Sequence, residues 1–206
     1  MLSLRKLGFT MIELLIVIAV LGILAVAVLA AINPIEQINR GRDTGSRSDA
    51  EQLLSAIDRF YASQGYYPWQ NGATDVDGNN EAPLVGAGGG FVDVTLTDTG
   101  EFSDGVTGVL SKLSTGGTAE IKTSFITRIS DSEYNTLKAY NQGGQGDSTY
   151  VCFVPKSGAF FEEAKTRCGG TGQGETFGDD LPADLTDVAD EVCVDVDASS
   201  NMVCLP

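Results

Sequence analysis

FTMIELLIVIAVLGILAVAVLAAI, residues 9 to 32, decides how this chain is read. It holds 24 residues and a single charge, Glu13. As a helix it runs roughly 36 Å, enough to cross a hydrocarbon core of about 30 Å. Ahead of it stands MLSLRKLG, whose Arg5 and Lys6 hold the amino end on the cytoplasmic side by the positive-inside rule. Everything after Ile32 is therefore expected outside. An ordinary secretory signal has a shorter apolar run, of about 7 to 15 residues, followed by a small-residue cleavage site, and neither feature fits here.

A carboxylate inside a bilayer is costly unless it snorkels, takes up a proton or finds a partner, so intramembrane acids are rare and usually functional. Glu13 lies four residues after Phe9. Snorkelling to the headgroups explains why the charge is tolerated, but not the pattern around it. That pattern, Gly8-Phe9-Thr10-Met11-Ile12-Glu13-Leu14 after a short basic leader, resembles the processing site of type IV prepilins and type II secretion pseudopilins.

The resemblance implies that a membrane aspartic peptidase cuts between Gly8 and Phe9 and that Phe9 becomes an N-methylated terminus. Glu13 would be the assembly carboxylate, pairing with the Phe9 amine of a neighbouring subunit, an attraction strengthened by low dielectric. The fold it implies is α+β, a long N-terminal hydrophobic helix packed on a C-terminal antiparallel β-sheet head. The expected divisions are a leader at 1–8, a transmembrane and filament-core helix at 9–32, an amphipathic continuation at 33–64, and an extracellular head at 65–206 ending in a disulfide region. Implied partners are further copies of the chain, the prepilin peptidase and methylase, a platform protein and a separate ATPase. The subunit would sit in the cytoplasmic membrane before joining an extracellular filament.

The head is polar, glycine-rich and acidic. The whole chain carries 13 cationic and 28 anionic side chains, a net −15, and loss of Arg5 and Lys6 with the leader makes it 11 − 28 = −17. Such a surface repels nucleic-acid phosphates and anionic membranes, so no direct nucleic-acid binding is expected. Cys152, Cys168, Cys193 and Cys204 all fall in the last quarter of the chain. An even number placed outside a membrane reads as a disulfide framework with three possible connectivities. Sequential pairing, Cys152 with Cys168 and Cys193 with Cys204, closes short loops and is preferred. Zinc is disfavoured by the absence of histidine and of any C-x-x-C spacing.

Beyond Ile32, Pro34 is expected to kink the rod, and Gly22 is a second weak point. Many pilins place this proline where Ala30 stands here. Opposite charges at i, i+4, namely Glu36 with Arg40, Asp43 with Arg47 and Arg47 with Glu51, support a helix that bends rather than stops. Leu53, Leu54, Ile57, Phe60 and Tyr61 form one stripe that needs a sheet to cover it. Gly65 reads as its C-terminal cap, followed by Tyr66-Tyr67-Pro68-Trp69, a cluster more readily explained by packing than as a ligand platform. Tyr-Pro exits of this kind recur in pilins.

Asp75, Asp77, Asn79 and Glu81 alternate around Gly78 like a fragment of a calcium loop, without its full spacing; an Asp/Asn turn is the default. Gly86 to Gly90 matches no phosphate-binding pattern. Strands are expected over Phe91–Leu96, Leu137–Tyr140 and Thr149–Pro155, and helices over 106–116, 119–129 and 159–167. Asp179 to Glu191 reads as a solvated acidic stretch. Val192–Val196 and Met202–Leu205 read as two arms of a hairpin-like end.

With no histidine and no spacing that selects a base, a nucleophile or a metal centre, no reaction and no cofactor are indicated. Three functions compete: a type IV pilin, a pseudopilin or minor pilin serving secretion or DNA uptake, and a membrane-anchored binding protein with a calcium or glycan site.

Overall fold

The fold is that of a computed structural model, which describes residues 8–70, 72–76, 83–85, 89–94, 108–114, 119–131, 135–144, 146–169, 181–194 and 200–206. It is α+β, with a long apolar helix at the N-terminal end and a four-stranded antiparallel sheet in the C-terminal part. The chain divides into two units, one ending at Ile38 and the other running from Asn39 to Pro206.

In the first unit, helix α1 spans Met11–Ala31, 21 residues with none buried. It runs unbroken through Gly22, where an added Cβ would meet nothing within 4 Å. Ile32 then turns extended, with φ −97° and ψ 130°. Helix α2, Pro34–Gln64, starts afresh: the Asn33 carbonyl accepts from Gln37 N at 3.3 Å, and its side chain accepts from Glu36 N at 3.4 Å. The expected kink in one continuous rod is thus corrected to a stop and a restart. A residue before proline avoids the helical region, whereas proline at the first position of a helix loses no internal hydrogen bond.

The second unit is built on the sheet, in the order β1 (Val92–Asp93), β2 (Leu137–Tyr140), β3 (Tyr150–Phe153), β4 (Val203–Leu205), with every neighbouring pair antiparallel. Alternation along β3 sends Val151 and Phe153 to one face and Tyr150 and Cys152 to the other. Both faces are covered, which is why all four residues of β3 are buried.

On the first face lies the larger core. Leu53, Ile57 and Phe60 of α2 meet Val109, Leu110 and Leu113 of α3 (Val109–Ser114), together with Phe125 and Ile129 of α4 (Thr123–Ile129). The α2 stripe is buried in this core at Leu53, Leu54, Ile57 and Phe60, but the expected fifth member, Tyr61, is 46% exposed. Gly65 closes α2 at φ +77°, with its N–H donating to Tyr61 O at 2.8 Å, a conformation that suits glycine. Tyr66 and Tyr67 pack against this core and Trp69 is buried in it. The expected helix over 159–167 appears as α5, Gly158–Arg167, capped by the Ser157 side chain.

The second face carries a smaller core of Tyr140, Tyr150, Leu185, Val188, Val192 and Met202 with all four cysteines. Two expectations are corrected here. The acidic stretch is not merely solvated: residues Ala183–Val188 form a 3-10 helix that buries Leu185 and Val188. Val192 is not a strand residue but the end of a short helix α6, Ala189–Val192. Its carbonyl accepts from Met202 N at 2.9 Å. Residues 195 and 196 of the expected arm, and 95 and 96 of the expected strand after Phe91, lie outside the described residues.

The disulfides are Cys152–Cys204 and Cys168–Cys193, which corrects the sequential pairing of Cys152 with Cys168 and of Cys193 with Cys204. Register is the reason. Cys152 and Cys204 are direct partners across β3 and β4, with Cα atoms 4.0 Å apart on the second face. Cys168 ends α5 and Cys193 follows α6, at a Cα separation of 5.8 Å. Preference for short loops was a weak guide, because closure entropy grows only slowly with loop length.

Candidate functional site

Glu13 sits in the first turn of α1 and Thr10 is its N-cap. The Glu13 carboxylate accepts from the Thr10 backbone N–H at 2.8 Å and from the Thr10 hydroxyl at 2.7 Å. In return the Thr10 hydroxyl oxygen accepts from Glu13 N–H at 3.3 Å. This reciprocal capping box satisfies donors that a helix start otherwise leaves open. It forms because side chains on a helix lean toward its amino end, bringing position 13 back over position 10. Gly8 and Phe9, the residues of the expected cleavage site, directly precede the cap and are exposed.

Sequence reasoning assigned roles to Gly8, Phe9 and Glu13 but none to Thr10. The signal was available, since Thr-x-x-Glu before an apolar run is a capping-box signature. From Leu14 to Ala31 the helix carries no charged residue, and it is long and apolar enough to cross a membrane. What the turn at 10–13 offers chemically is one carboxylate held at the end of a greasy rod, next to the chain position where cleavage would free an amine.

The second unit has its own buried carboxylate, which sequence reasoning assigned to an i, i+4 pair. Asp43 of α2 is 0% exposed and does not turn to Arg47. It accepts from Ser157 Oγ at 2.6 Å, Ser157 N at 2.8 Å, Lys156 N at 3.0 Å and Asn135 Nδ2 at 2.9 Å. A helix side chain thereby ties down the loop between β3 and α5. Arg47 pairs instead with Glu163, which also holds Arg167 at 2.9 Å, and stacks over the Phe160 ring at 4.8 Å. These bonds are architectural, joining α2 to α5.

The remaining candidates, where they fall among the described residues, are engaged in packing, ion pairs and turns. Tyr67 and Trp69 stack at 4.4 Å with their planes 7° apart, and Phe60 meets Tyr66 edge-on at 5.7 Å, so the aromatic cluster is a packed corner of the core. An open groove of about 820 Å³ between α2 and α4 is lined by Ser48, Glu51, Arg59, Glu120, Lys122 and Arg128. Two of its cations are already held, Arg59 by Glu120 at 2.7 Å and Arg128 by Asp49. Among the described residues no group of three or more His, Cys, Asp or Glu could hold a metal ion. Of the calcium candidates, Asp75 follows a turn in which its N–H donates to Gly72 O at 3.0 Å, while Asp77, Asn79 and Glu81 lie outside the described residues.

Residues 4–29 match the model of the prokaryotic N-terminal methylation motif, the segment on which the resemblance to type IV pilins and pseudopilins rests. No curated protein and no solved structure matches the chain.

Proposed function

We propose that this chain, which carries the prokaryotic N-terminal methylation motif, is a structural subunit of a type IV pilus. The membrane peptidase removes residues 1–8 and methylates Phe9, and the processed subunit polymerises through its N-terminal helix into an extracellular filament. The observation that carries the reading is α1: 21 residues, none of them buried, with Glu13 as the one carboxylate at its start.

In the bilayer such a helix is solvated by lipid, and apolar helices gain little there from meeting one another. Drawn into water, the same surface must be buried against neighbours, which drives polymerisation. Glu13 pairs with the Phe9 amine of an adjacent copy and so sets the axial register. The acidic heads keep the fibre surface soluble. Work for extraction comes from a separate ATPase acting through a platform protein. The subunit itself is structural rather than catalytic, and its Cys-stapled head faces the outside.

Sheared surface fibres, separated and sequenced from the amino end, test this directly. The expected result is a dominant subunit beginning at a methylated or blocked Phe9. Glu13→Ala is expected to give processed but unassembled protein, and Gly8→Val protein that keeps its leader. An intact chain found only as an unprocessed membrane monomer overturns the reading. A processed subunit present only at trace level in the fibres instead identifies a pseudopilin or minor pilin.

A further inference from the structure

Past Ile32, the large apolar side chains left exposed among the described residues are Ile35, Ile38, Tyr61, Val76 and Val194. Ile35 and Ile38, 68% and 58% exposed, stand three positions apart in the first two turns of α2 and so share one side of it. Arg40 and Arg42, both exposed, follow Ile38 by two and four positions. Between Ile32 and Arg42 the only acid is Glu36. A local excess of cation is thus set directly after two bare isoleucines, in a chain whose net charge is −15.

This order, apolar and then basic, is the composition of a helix that rests on a lipid surface. Because Ile32 is extended, the hydrogen-bond ladder of α1 ends there and the first turns of α2 are free of it. On a helical rise Ile35 and Ile38 come about 4.5 and 9 Å after Ile32, and the headgroup layer is about 5 to 7 Å deep. An arginine stem lies along apolar surroundings while its guanidinium reaches phosphate.

We infer that the start of α2 is a membrane-surface anchor: Ile35 and Ile38 enter the boundary between headgroups and acyl chains, and Arg40 and Arg42 bind the phosphates of anionic phospholipids. The inference rests on the reading of α1 as a bilayer span and adds to it a second, peripheral foothold. Lipid is the occupant rather than a second copy because only Asn33 and Pro34 separate these isoleucines from the apolar run. The acidic surface elsewhere holds the rest of the chain off such a membrane.

The test uses the full chain in nanodiscs of phosphatidylcholine, with or without phosphatidylglycerol. Native cysteines are all in disulfides, so a nitroxide can be placed on a single added cysteine, in Leu24→Cys, Ile35→Cys, Ile38→Cys or, as an exposed control, Ser55→Cys. Collision with oxygen and with a water-soluble nickel chelate reads depth. In discs with phosphatidylglycerol, positions 35 and 38 are expected to be shielded from the chelate as Leu24→Cys is. One cation near an anionic surface corresponds to about a five-fold change in the bound equilibrium, so chelate access should rise by about that factor with Arg42→Gln. It should rise further in phosphatidylcholine alone. Equal shielding in both lipids overturns the role of the arginines, and shielding that grows only with the number of copies per disc assigns the surface to a second copy instead. If positions 35 and 38 are as open as Ser55→Cys while position 24 is shielded, the anchor alone falls. If position 24 is open too, the reading of α1 as a span falls with it.

Discussion

Helices α1 and α2 follow one another in the chain and are stabilised in opposite ways. No residue of α1 is buried, whereas α2 buries Asp43, Ser46, Asp49, Ala50, Leu53, Leu54, Ala56, Ile57 and Phe60. The first is apolar on every side from Leu14 to Ala31 and has no face, the pattern of a helix that is covered all round rather than along one stripe. The second carries its instructions as a stripe and completes a core within the same unit. On the proposed function the difference separates two tasks, assembly in one helix and folding in the other, and predicts that they can be damaged independently.

The largest effect that would break this separation comes from truncation. A chain beginning at Asn39 is expected to lose membrane association altogether while keeping the urea unfolding midpoint of the intact head, read by tyrosine fluorescence. A collapse of that midpoint would mean that α1 contributes to folding after all.

Next in size are the disulfides. Replacing Cys152 and Cys204 by alanine opens a loop of 52 residues and is expected to cost about 4 kcal/mol, and replacing Cys168 and Cys193, 25 residues apart, about 3.5 kcal/mol. Peptide mapping of the unreduced protein checks the connectivity itself. Denaturant titration of the head should register both losses.

Asp43→Ala strands the donors of Ser157, Lys156 and Asn135 in the interior, and about 3 kcal/mol of head stability is expected to go with it. By contrast, Asp43→Glu keeps the charge but displaces it, so a partial loss in the same titration would show that geometry matters beyond charge.

The smallest effect is a pH dependence confined to the head. Burial, then the carboxylates of Asp187 and Asp147, push the Tyr140 phenol above its ordinary value of 10.0, and burial followed by Asp184 does the same for Tyr150. A native phenol that keeps its proton when the unfolded chain has released it contributes stability that is complete below about pH 10. That contribution disappears as the pH rises through the native value. Urea midpoints are therefore expected to fall between pH 8 and pH 11, and less steeply in Tyr140→Phe and Tyr150→Phe.

How much of this was readable beforehand depends on range. The long apolar helix, the stripe from Leu53 to Phe60, the helix at 159–167 and the strand at 137–140 are written in hydropathy over a few turns of chain, and they appear where expected. Asp43 was missed although it lies on the same face, since 43, 46, 50, 53, 57 and 60 are three or four apart; its charge argued for solvent until four donors could be seen around it. Leu185, Val188 and Val192 show the same spacing, hidden among acids. The Val192–Val196 segment alternated like a strand, yet Val192 and Cys193 are both buried in succession and Val194 is exposed. Disulfide pairing was beyond local pattern altogether, because it depends on strand register and on which face each cysteine takes.

The carboxylate of Asp43 also lies on the path that a tug on the chain would take. Any tension arriving from Ile38 enters the head at Asn39, whose side chain donates to Lys156 O at 3.1 Å, and reaches Asp43 one turn later. There it is shared at once among contacts to Asn135, Lys156 and Ser157, just after the strand that Cys152 staples to its neighbour. The first turns of the second unit are thus fastened at several points of one loop rather than at one.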